Sequence, residues 1–566
     1  MEEIKKTKKQ VSFMKNVLML MIAQVAIKIL GFLYKLVIIN IKGFGDTGNG
    51  YYATGYQIYS LLLTLSSVGI PTVISKLVAE RTAIGDHRGA HRIFKTALKT
   101  FTTIGVVMSL GLFFGADFIA KNIINVEGVK YTLMVLAPAI MFVAAGAVLR
   151  GYFAGLGTMK PTSVTQTLEQ LLNCLLTITF VYATVGKDTA IMAAAGNLSS
   201  TIAIVIAFIY IISFYKKQKP GILEDCKNQT VEMETKTTKQ ILKIIFAVSI
   251  PMTIGSLVAE LNGTIDTLTV SNCIQTAFQG ILEGGKEALE AKAMQLSGMV
   301  SKIETIIRLP LAINAAFCTA LVPAIAASLA KKDKETAVKR LSFSFFLTII
   351  IIAPCAVGLI TLAEPILKTI YPNSYEGSTI LQITSISMTF VALSYVINGG
   401  LYGIGKTHIP AIALAIGAGV KTVLNIVLVS NPRINILGSP ISSTVCQAIN
   451  FIICSCCLSK YIKLDIRFTK HILKPLFSAS VMGIVTYATH YILIEPIGNS
   501  KATIIAILVG ALTYGIMIIA TKTLNKEDMY MIPFGTKLYK MLVKIGIYKE
   551  KMFKGENNRW NLSHGM

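Results

Sequence analysis

Apolar residues in this chain fall in long, nearly unbroken runs separated by short polar stretches, not in the alternating or three-to-four spacing of soluble elements. The runs are roughly 20 to 28 residues long, the length a helix needs to cross about 30 Å of hydrocarbon. They predict spans near residues 13–41, 51–77, 97–120, 131–153, 161–184, 189–214, 241–270, 295–328, 341–363, 378–402, 408–429, 436–459, 472–494 and 501–523. A membrane interior offers the backbone no water, so each run must close its own hydrogen bonds as a helix. The pattern predicts an all-α polytopic membrane protein of about fourteen transmembrane helices.

The punctuation between the runs repeats. GYFAGLGTMKP (151–161) and GGLYGIGKTHIP (399–410) each follow an apolar run, set an aromatic before G-x-G, and reach a proline that opens the next run. Glycine permits the tight turn, and proline starts a helix where its missing N–H is not needed. SSVGIPTVISKLVAE, ending the second span, likewise matches FCTALVPAIAASLAKKDKE, ending the eighth, with Pro71 beside Pro323. Two halves of six spans result. An even number of spans returns the chain to its starting side, so the halves share orientation and are related by a pseudo-two-fold axis along the membrane normal. The expected units are a six-helix lobe over 1–215, a linker over 216–240, a second six-helix lobe over 241–460, two extra transmembrane helices over 461–523 and a basic tail over 524–566.

Composition agrees with the pattern. Of 566 residues, 53% are hydrophobic and 15% charged, with a mean hydropathy of +0.63, whereas about a quarter of a soluble domain is charged. The first run is too long for a leader-peptide core and lacks an A-x-A site, so it reads as a retained helix. With the N-terminus inside, the basic clusters at Lys5–Lys9, Arg81–Lys95, Lys216–Lys239, Lys331–Arg340 and Lys460–Lys470 all fall in inner loops. The outer segments carry Asp46, Asp117, Glu127, Glu283, Glu287, Glu290, Glu364 and Glu376. A multi-pass cell-membrane protein with both termini cytoplasmic is expected. The net charge of +25 then belongs to an inner face against anionic lipid, and no basic-aromatic module calls for nucleic acid. The nine cysteines sit mostly inside apolar runs and read as small hydrophobes, with no metal or disulfide spacing.

Ionisable groups inside spans carry the functional information, because a charge at bilayer depth must face a bundle interior or a wet cavity. Gln24, Lys28, Gly31 and Lys35 form one polar stripe on the first span. Lys35 lies within snorkelling reach of the outer interface, whereas Lys28 is too deep for that route. The seventh span carries Thr253, Ser256, Glu260, Thr264 and Thr267 at helical spacing, with Asp266 one turn beyond Asn262. The eighth carries Ser297, Ser301, Glu304 and Arg308; Glu304 and Arg308 at i and i+4 either pair with each other or meet a substrate. Gln166, Glu169, Gln170 and Asn173 on the fifth span and Lys421 and Asn425 on the eleventh complete the set. Such stripes also join helices to one another. Their presence in both halves predicts a central polar cleft.

ILGFLYKLVI in the first span, GNGYYATGYQIYSLLLTLSSVGIPTVISKLVAE through the second, RLPLAINAAFCTALVPAIA in the eighth and the GLYGIGKTHIP corner resemble the polysaccharide-export branch of the multidrug, oligosaccharidyl-lipid and polysaccharide (MOP) exporter superfamily, nearest to its stage V sporulation protein B group and the lipid II flippases. The resemblance runs over about residues 10–525. It implies a V-shaped pair of six-helix lobes working by alternating access, and a lipid-linked sugar precursor as cargo, carried from the inner to the outer leaflet. The flippases' two extra C-terminal helices match the spans after Lys470. Their first-span basic residues fall on Lys28, Tyr34 and Lys35; the charge is kept at Lys28, but an Arg–Asp pair is replaced by Tyr34 and Lys35. Arg308 is shifted from the family's eighth-span arginine.

A first-span stripe with two lysines and no carboxylate suits an anionic diphosphate. Exporters of cationic drugs driven by protons or sodium would place an acid there. The expected substrate-binding set is Gln24, Lys28, Lys35, Glu304, Arg308 and Lys421, with Glu260 and Asp266 as candidates for coupling to a monovalent cation. The expected partners are an anionic lipid-linked oligosaccharide or lipid II-like substrate, membrane lipids and, as candidates, cell-wall synthesis proteins. No cofactor or metal is implied. A cation-coupled multidrug antiporter is the alternative transporter; an enzyme is disfavoured because the short loops carry neither a phosphate-binding glycine loop nor an acid pair at metal-ligand spacing.

Overall fold

The computed structural model describes residues 28–67, 69–229, 237–525 and 528–529. Gln24, the first half of the first span, residues 230–236 of the linker and nearly all of the basic tail lie outside the described residues. The described chain is helical throughout: α1 (28–39), α2 (Gly45–Ser67), α3 (Ile70–Ala83), α4 (His87–Phe118), α5 (Val129–Gly155), α6 (Lys160–Ala183), α7 (Thr189–Lys227), α8 (Thr238–Phe278), α9 (Gly285–Ala330), α10 (Lys334–Thr361), α11 (Ala363–Ile370), α12 (Ser378–Gly403), α13 (His408–Val429), α14 (Gly438–Ser459), α15 (Lys474–Ile497) and α16 (Asn499–Ala520). Eleven helical segments among the described residues are long and apolar enough to cross a membrane, with α2 and α3 joined into one of them. Of the predicted spans, the first, described only from residue 28, the fifth (α6) and the eighth (α9) are not among the eleven; α6 carries Gln166, Glu169, Gln170 and Asn173, and α9 carries Glu304 and Arg308.

The neighbour pattern occurs twice. α5 packs on α2, α4 and α7, while α6 packs on α7; α12 packs on α9, α10 and α14, while α13 packs on α14. α8 lies along α13, and α1 meets α6 at Gly31, where a Cβ would sit 3.8 Å from Gln170 Nε2. The main contact between the two sets is α2 against α9, the first full helix of one against its counterpart. Outside this pair of lobes, α15 and α16 pack on each other, α15 against α10 and α16 against α11. Tyr514 on α16 donates to Ile350 O at 2.9 Å, and Asn499 donates to Pro365 O at 3.1 Å.

The repeated corners are the same device. After α5, Leu156 N bonds Tyr152 O, Gly157 N bonds Ala154 O and Thr158 N bonds Phe153 O; after α12, Ile404, Gly405 and Lys406 bond Gly400, Tyr402 and Leu401 in the same order. Gly157 (φ +83°) and Gly405 (φ +77°) take the left-handed conformation that lets the next N–H reach back to the last turn. The ends of α3 and α9 match as well. Gly85 (φ +79°) and Lys332 (φ +58°) make the left-handed turn, and Asp86 and Asp333 then cap α4 and α10 by accepting from Gly89 N and Thr336 N. Duplicated sequence thus produces duplicated turns, and these aim the helices of both lobes alike.

Nothing lies within 4 Å of a Cβ built on Gly405, so its conformation alone resists substitution. Gly405→Val should cost about 1–2 kcal/mol through backbone strain. The check is a lowered melting temperature of the detergent-purified protein, with Lys406→Ala next to it unchanged.

Candidate transport cleft and its closed end

Charged groups from both lobes converge between α1, α2, α6, α8 and α9. Lys35 on α1 reaches across to Ser301 Oγ and Thr305 Oγ1 on α9, each at 3.4 Å, and lies within electrostatic reach of Glu304 and Arg308. Arg308 Nη2 pairs with Glu304 Oε2 at 3.1 Å, yet its side chain is 72% exposed. It sits close to the midpoint of the 46-residue α9, where an exposed guanidinium requires a wet cleft. Tyr56 on α2 is the hub, with Glu169 of α6, Glu260 of α8 and Arg308 of α9 all within electrostatic reach. Gln57 beside it donates to Glu260 Oε2 at 3.2 Å and Thr264 Oγ1 at 3.4 Å, tying α2 to α8.

One end of this cleft is shut. Lys302 Nζ lies 2.8 and 2.9 Å from the two carboxylate oxygens of Asp46 and also donates to Ser374 O at 2.5 Å. Both side chains are buried, at 0% and 3% exposed, and the ammonium lies 5.5 Å from the Tyr371 ring centre. Such a pair is possible only where helices touch. A Cβ on Gly298 would stand 1.7 Å from Asp46 O, and one on Gly50 would stand 2.0 Å from Met294 O. Bare glycines therefore let α2 and α9 meet backbone to backbone, and Asn49 Nδ2 closes the seam on Gly298 O at 2.8 Å. Further bonds between the lobes gather at this same end: Asn40 to Ile370 O at 2.9 Å, Asn373 to Asn40 O at 2.9 Å, Gln275 to Asn125 O at 2.8 Å and Lys286 to Glu127 at 2.9 Å. Lys286 holds the exposed Glu127 carboxyl below its usual range.

A second buried pair sits within the C-terminal lobe. Lys421 Nζ on α13 donates to Asn262 O at 2.9 Å, Asn262 Oδ1 at 2.8 Å and Asp266 Oδ2 at 2.6 Å, all on α8. Asn425 donates to the other Asp266 oxygen at 2.9 Å and to Thr269 at 3.0 Å, and accepts from Ser442 on α14.

The sequence-predicted set is thus divided. Lys35, Glu304, Arg308 and Glu260 come together in the cleft. Lys28 is exposed on α1, two turns from Lys35, with no ion pair among the described residues. Lys421 and Asp266 bind each other, with Asp266 within electrostatic reach of Glu304 beside that group, and Gln24 lies outside the described residues. Sequence reasoning missed Lys302 because it followed the stripe Ser301, Glu304, Arg308 on the other face of α9. A lysine off the polar stripe, between Ser301 and Ile303, with Asp46 the single acid of the facing loop, was the available clue. Arg150 of α5, within reach of Glu169, was also missed.

Comparison with known proteins places this geometry. A family model described as polysaccharide biosynthesis protein matches residues 13–328, and one described as lipid II flippase MurJ matches residues 226–508. The chain belongs to this MOP exporter family. Stage V sporulation protein B of Bacillus subtilis (strain 168) is 26% identical over 530 residues, 92% of this chain and 98% of that protein. Lipid II flippase MurJ of the same organism is 23% identical over 400 residues, 68% of this chain and 72% of that one. The solved structure of a lipid II flippase MurJ in its inward closed conformation matches at a TM-score of 0.63 and 15% identity, over 88% of this chain and 98% of that chain. That likeness is one of fold.

Lys302→Ala leaves Asp46 as a buried unpaired charge and should destabilise the exporter by about 3–5 kcal/mol, while the apolar double variant Asp46→Leu/Lys302→Met should recover most of that loss. Melting temperatures of the three purified proteins test this; an equally unstable double variant would show that the pair is not what Lys302→Ala disrupts.

Proposed function

We propose that the protein is a flippase that carries an anionic lipid-linked sugar precursor from the inner to the outer leaflet by alternating access. The observation that carries this reading is the meeting of Lys35 and Arg308, from opposite lobes, in one cleft whose far end is sealed by Asp46 and Lys302. A diphosphate is the ligand such cations suit, because it accepts charge-assisted hydrogen bonds from both and so draws the lobes together. Lys28, exposed about 10 Å along α1 from Lys35, extends the basic track. The family match and the names of the relatives support the same class of cargo. The lipid tail stays in the bilayer beside the cleft, and no bond of the cargo is broken, so the protein acts as a transporter and not as an enzyme.

The closed end carries Asp46, Glu127 and Glu290, and the opposite loops carry the lysines and arginines. By the positive-inside rule the closed end faces outward in the cell membrane, and both termini are cytoplasmic. The structure then represents a state in which the cleft is shut to the outside. Rupture of the Asp46–Lys302 pair and separation of α2 from α9 would open it there. Each negative charge carried outward across a membrane held at an inside-negative potential of 100 mV gains about 2.3 kcal/mol, a driving force available without another solute.

Cation-coupled multidrug antiport draws on one observation: Glu260 is a carboxylate in the cleft bonded only by Gln57 among the described residues. The two readings predict opposite responses to charge reversal. In a leaflet assay with liposomes and a defined lipid-linked diphosphate, Lys35→Ala should weaken binding about tenfold by removing one charge-assisted bond. Lys28→Glu and Arg308→Glu should abolish flipping while leaving expression and melting unchanged. Normal flipping by both reversed variants would remove the basic track from the mechanism. A cysteine at Lys219 should react with an impermeant reagent only after the membrane is opened; labelling in intact cells would reverse the topology.

A further inference from the structure

Oxygens of the kind a small cation binds converge on one buried positive charge inside the C-terminal lobe. The Lys421 ammonium spends all three of its protons there, on Asn262 O, Asn262 Oδ1 and Asp266 Oδ2, at 2.6–2.9 Å. Behind them Asn425, Thr269 and Ser442 satisfy the second Asp266 oxygen and one another, so the cluster is complete without a ligand. Its oxygens come from α8 and its cation from α13. Lys421 is fully buried, whereas Asp266 is 17% exposed and about 1.7 turns along α8 from Glu260 in the cleft. A buried ion pair holds two helices together no better than apolar packing would, so stability alone does not account for it. A positive charge ringed by carbonyl, amide and carboxylate oxygens is what a monovalent-cation site looks like, and an ammonium can stand in for the ion.

We infer that Asn262 and Asp266 form a monovalent-cation site whose occupant is the tethered ammonium of Lys421. An exchangeable ion would clamp α8 to α13 only while bound. The lysine clamps them permanently, so this lobe needs no sodium or potassium, and the sequence-based expectation that Asp266 couples transport to an ion is replaced by a built-in cation. The inference deepens the flippase reading, in which charge on the cargo supplies the driving force.

The site itself is tested on the purified full-length protein without transport. Melting temperatures are compared in N-methylglucamine chloride, sodium chloride and potassium chloride at equal ionic strength, about 100 mM. The wild type should shift by less than about 1 °C between salts, whereas Lys421→Ala, which empties the oxygen ring, should gain about 3 °C or more in sodium or potassium. Lys421→Ala/Asp266→Asn should lose that gain. Lys421→Gln, which keeps an amide donor at the ring, is the second variant and should gain less than Lys421→Ala. The inference falls if the wild type itself is stabilised by sodium or potassium, or if neither Lys421→Ala nor Lys421→Gln responds to either ion. In liposomes, flipping by the wild type should be the same in all three salts, and that of Lys421→Ala should rise several-fold with the ion that stabilises it. Absence of flipping by the wild type would overturn the flippase reading and leave the melting result standing.

Discussion

An ionised group taken out of water must find a partner or a wet surface, and in a membrane bundle that requirement sorts every internal charge. Lys302 and Asp46 satisfy it by meeting each other across the two lobes, fully buried. Lys421 and Asp266 satisfy it within one lobe. Arg308 satisfies it only in part: it pairs with Glu304 and still exposes most of its guanidinium, which marks the space in front of it as wet. The three solutions define three parts of the molecule, namely a closed seam, a locked internal joint and a wet cleft. The seam is the part on which the others depend, because the cleft has a floor only while α2 and α9 touch.

That touching depends on what α2 and α9 lack. At Gly50 and Gly298 the partner backbone occupies the place a side chain would take, so the helices approach closely enough for Asn49 to bond a main-chain carbonyl and for Lys302 to reach Asp46. Small residues bring backbones together in lipid, where no hydrophobic force distinguishes a neighbouring helix from an acyl chain. Apolar side chains of both lobes share one core along this seam, among them Tyr51, Tyr52, Met294, Met299 and Ile303, and the polar bonds are the part of the contact that a bound charge or a shift in tilt can exchange for others.

Much of this was legible in the sequence, and the reasons differ by feature. The apolar runs gave the helices, because membrane span length is set by bilayer thickness alone. The doubled G-x-G corners gave the two lobes, because a left-handed turn needs glycine at one position and the two turns make identical bonds. The cleft residues Lys35, Glu260, Glu304 and Arg308 followed from helical spacing, which fixes a face. Pairing could not be read this way. Whether Lys421 faced a substrate or Asp266 depended on the rotation of α8 against α13, and spacing along one helix carries no information about a second. Lys302 was overlooked for the same reason: its partner lies 256 residues away in sequence.

The two lobes share their turns but not their charges, and the difference separates their roles. On α6, Glu169 and Asn173 stand four residues apart; on α13, Lys421 and Asn425 do the same. Asn173 accepts from Ser199 at 2.9 Å and Ser200 at 3.0 Å on α7, just as Asn425 bonds Ser442 on α14, so the amide positions are structural equivalents. One turn earlier the charge is reversed. The helix beside α6 is α1, which offers Lys28 and Lys35, and the helix beside α13 is α8, which offers Asp266. In the C-terminal lobe the opposite charges close on each other and leave nothing for a ligand. In the N-terminal lobe Lys35 turns instead to the hydroxyls of α9, and Lys28 stays exposed. Duplication built two equivalent scaffolds; reversal of one charge pair closed one of them on itself and left the cations of the other unpaired with its own acid, which is the asymmetry the proposed anionic cargo would use.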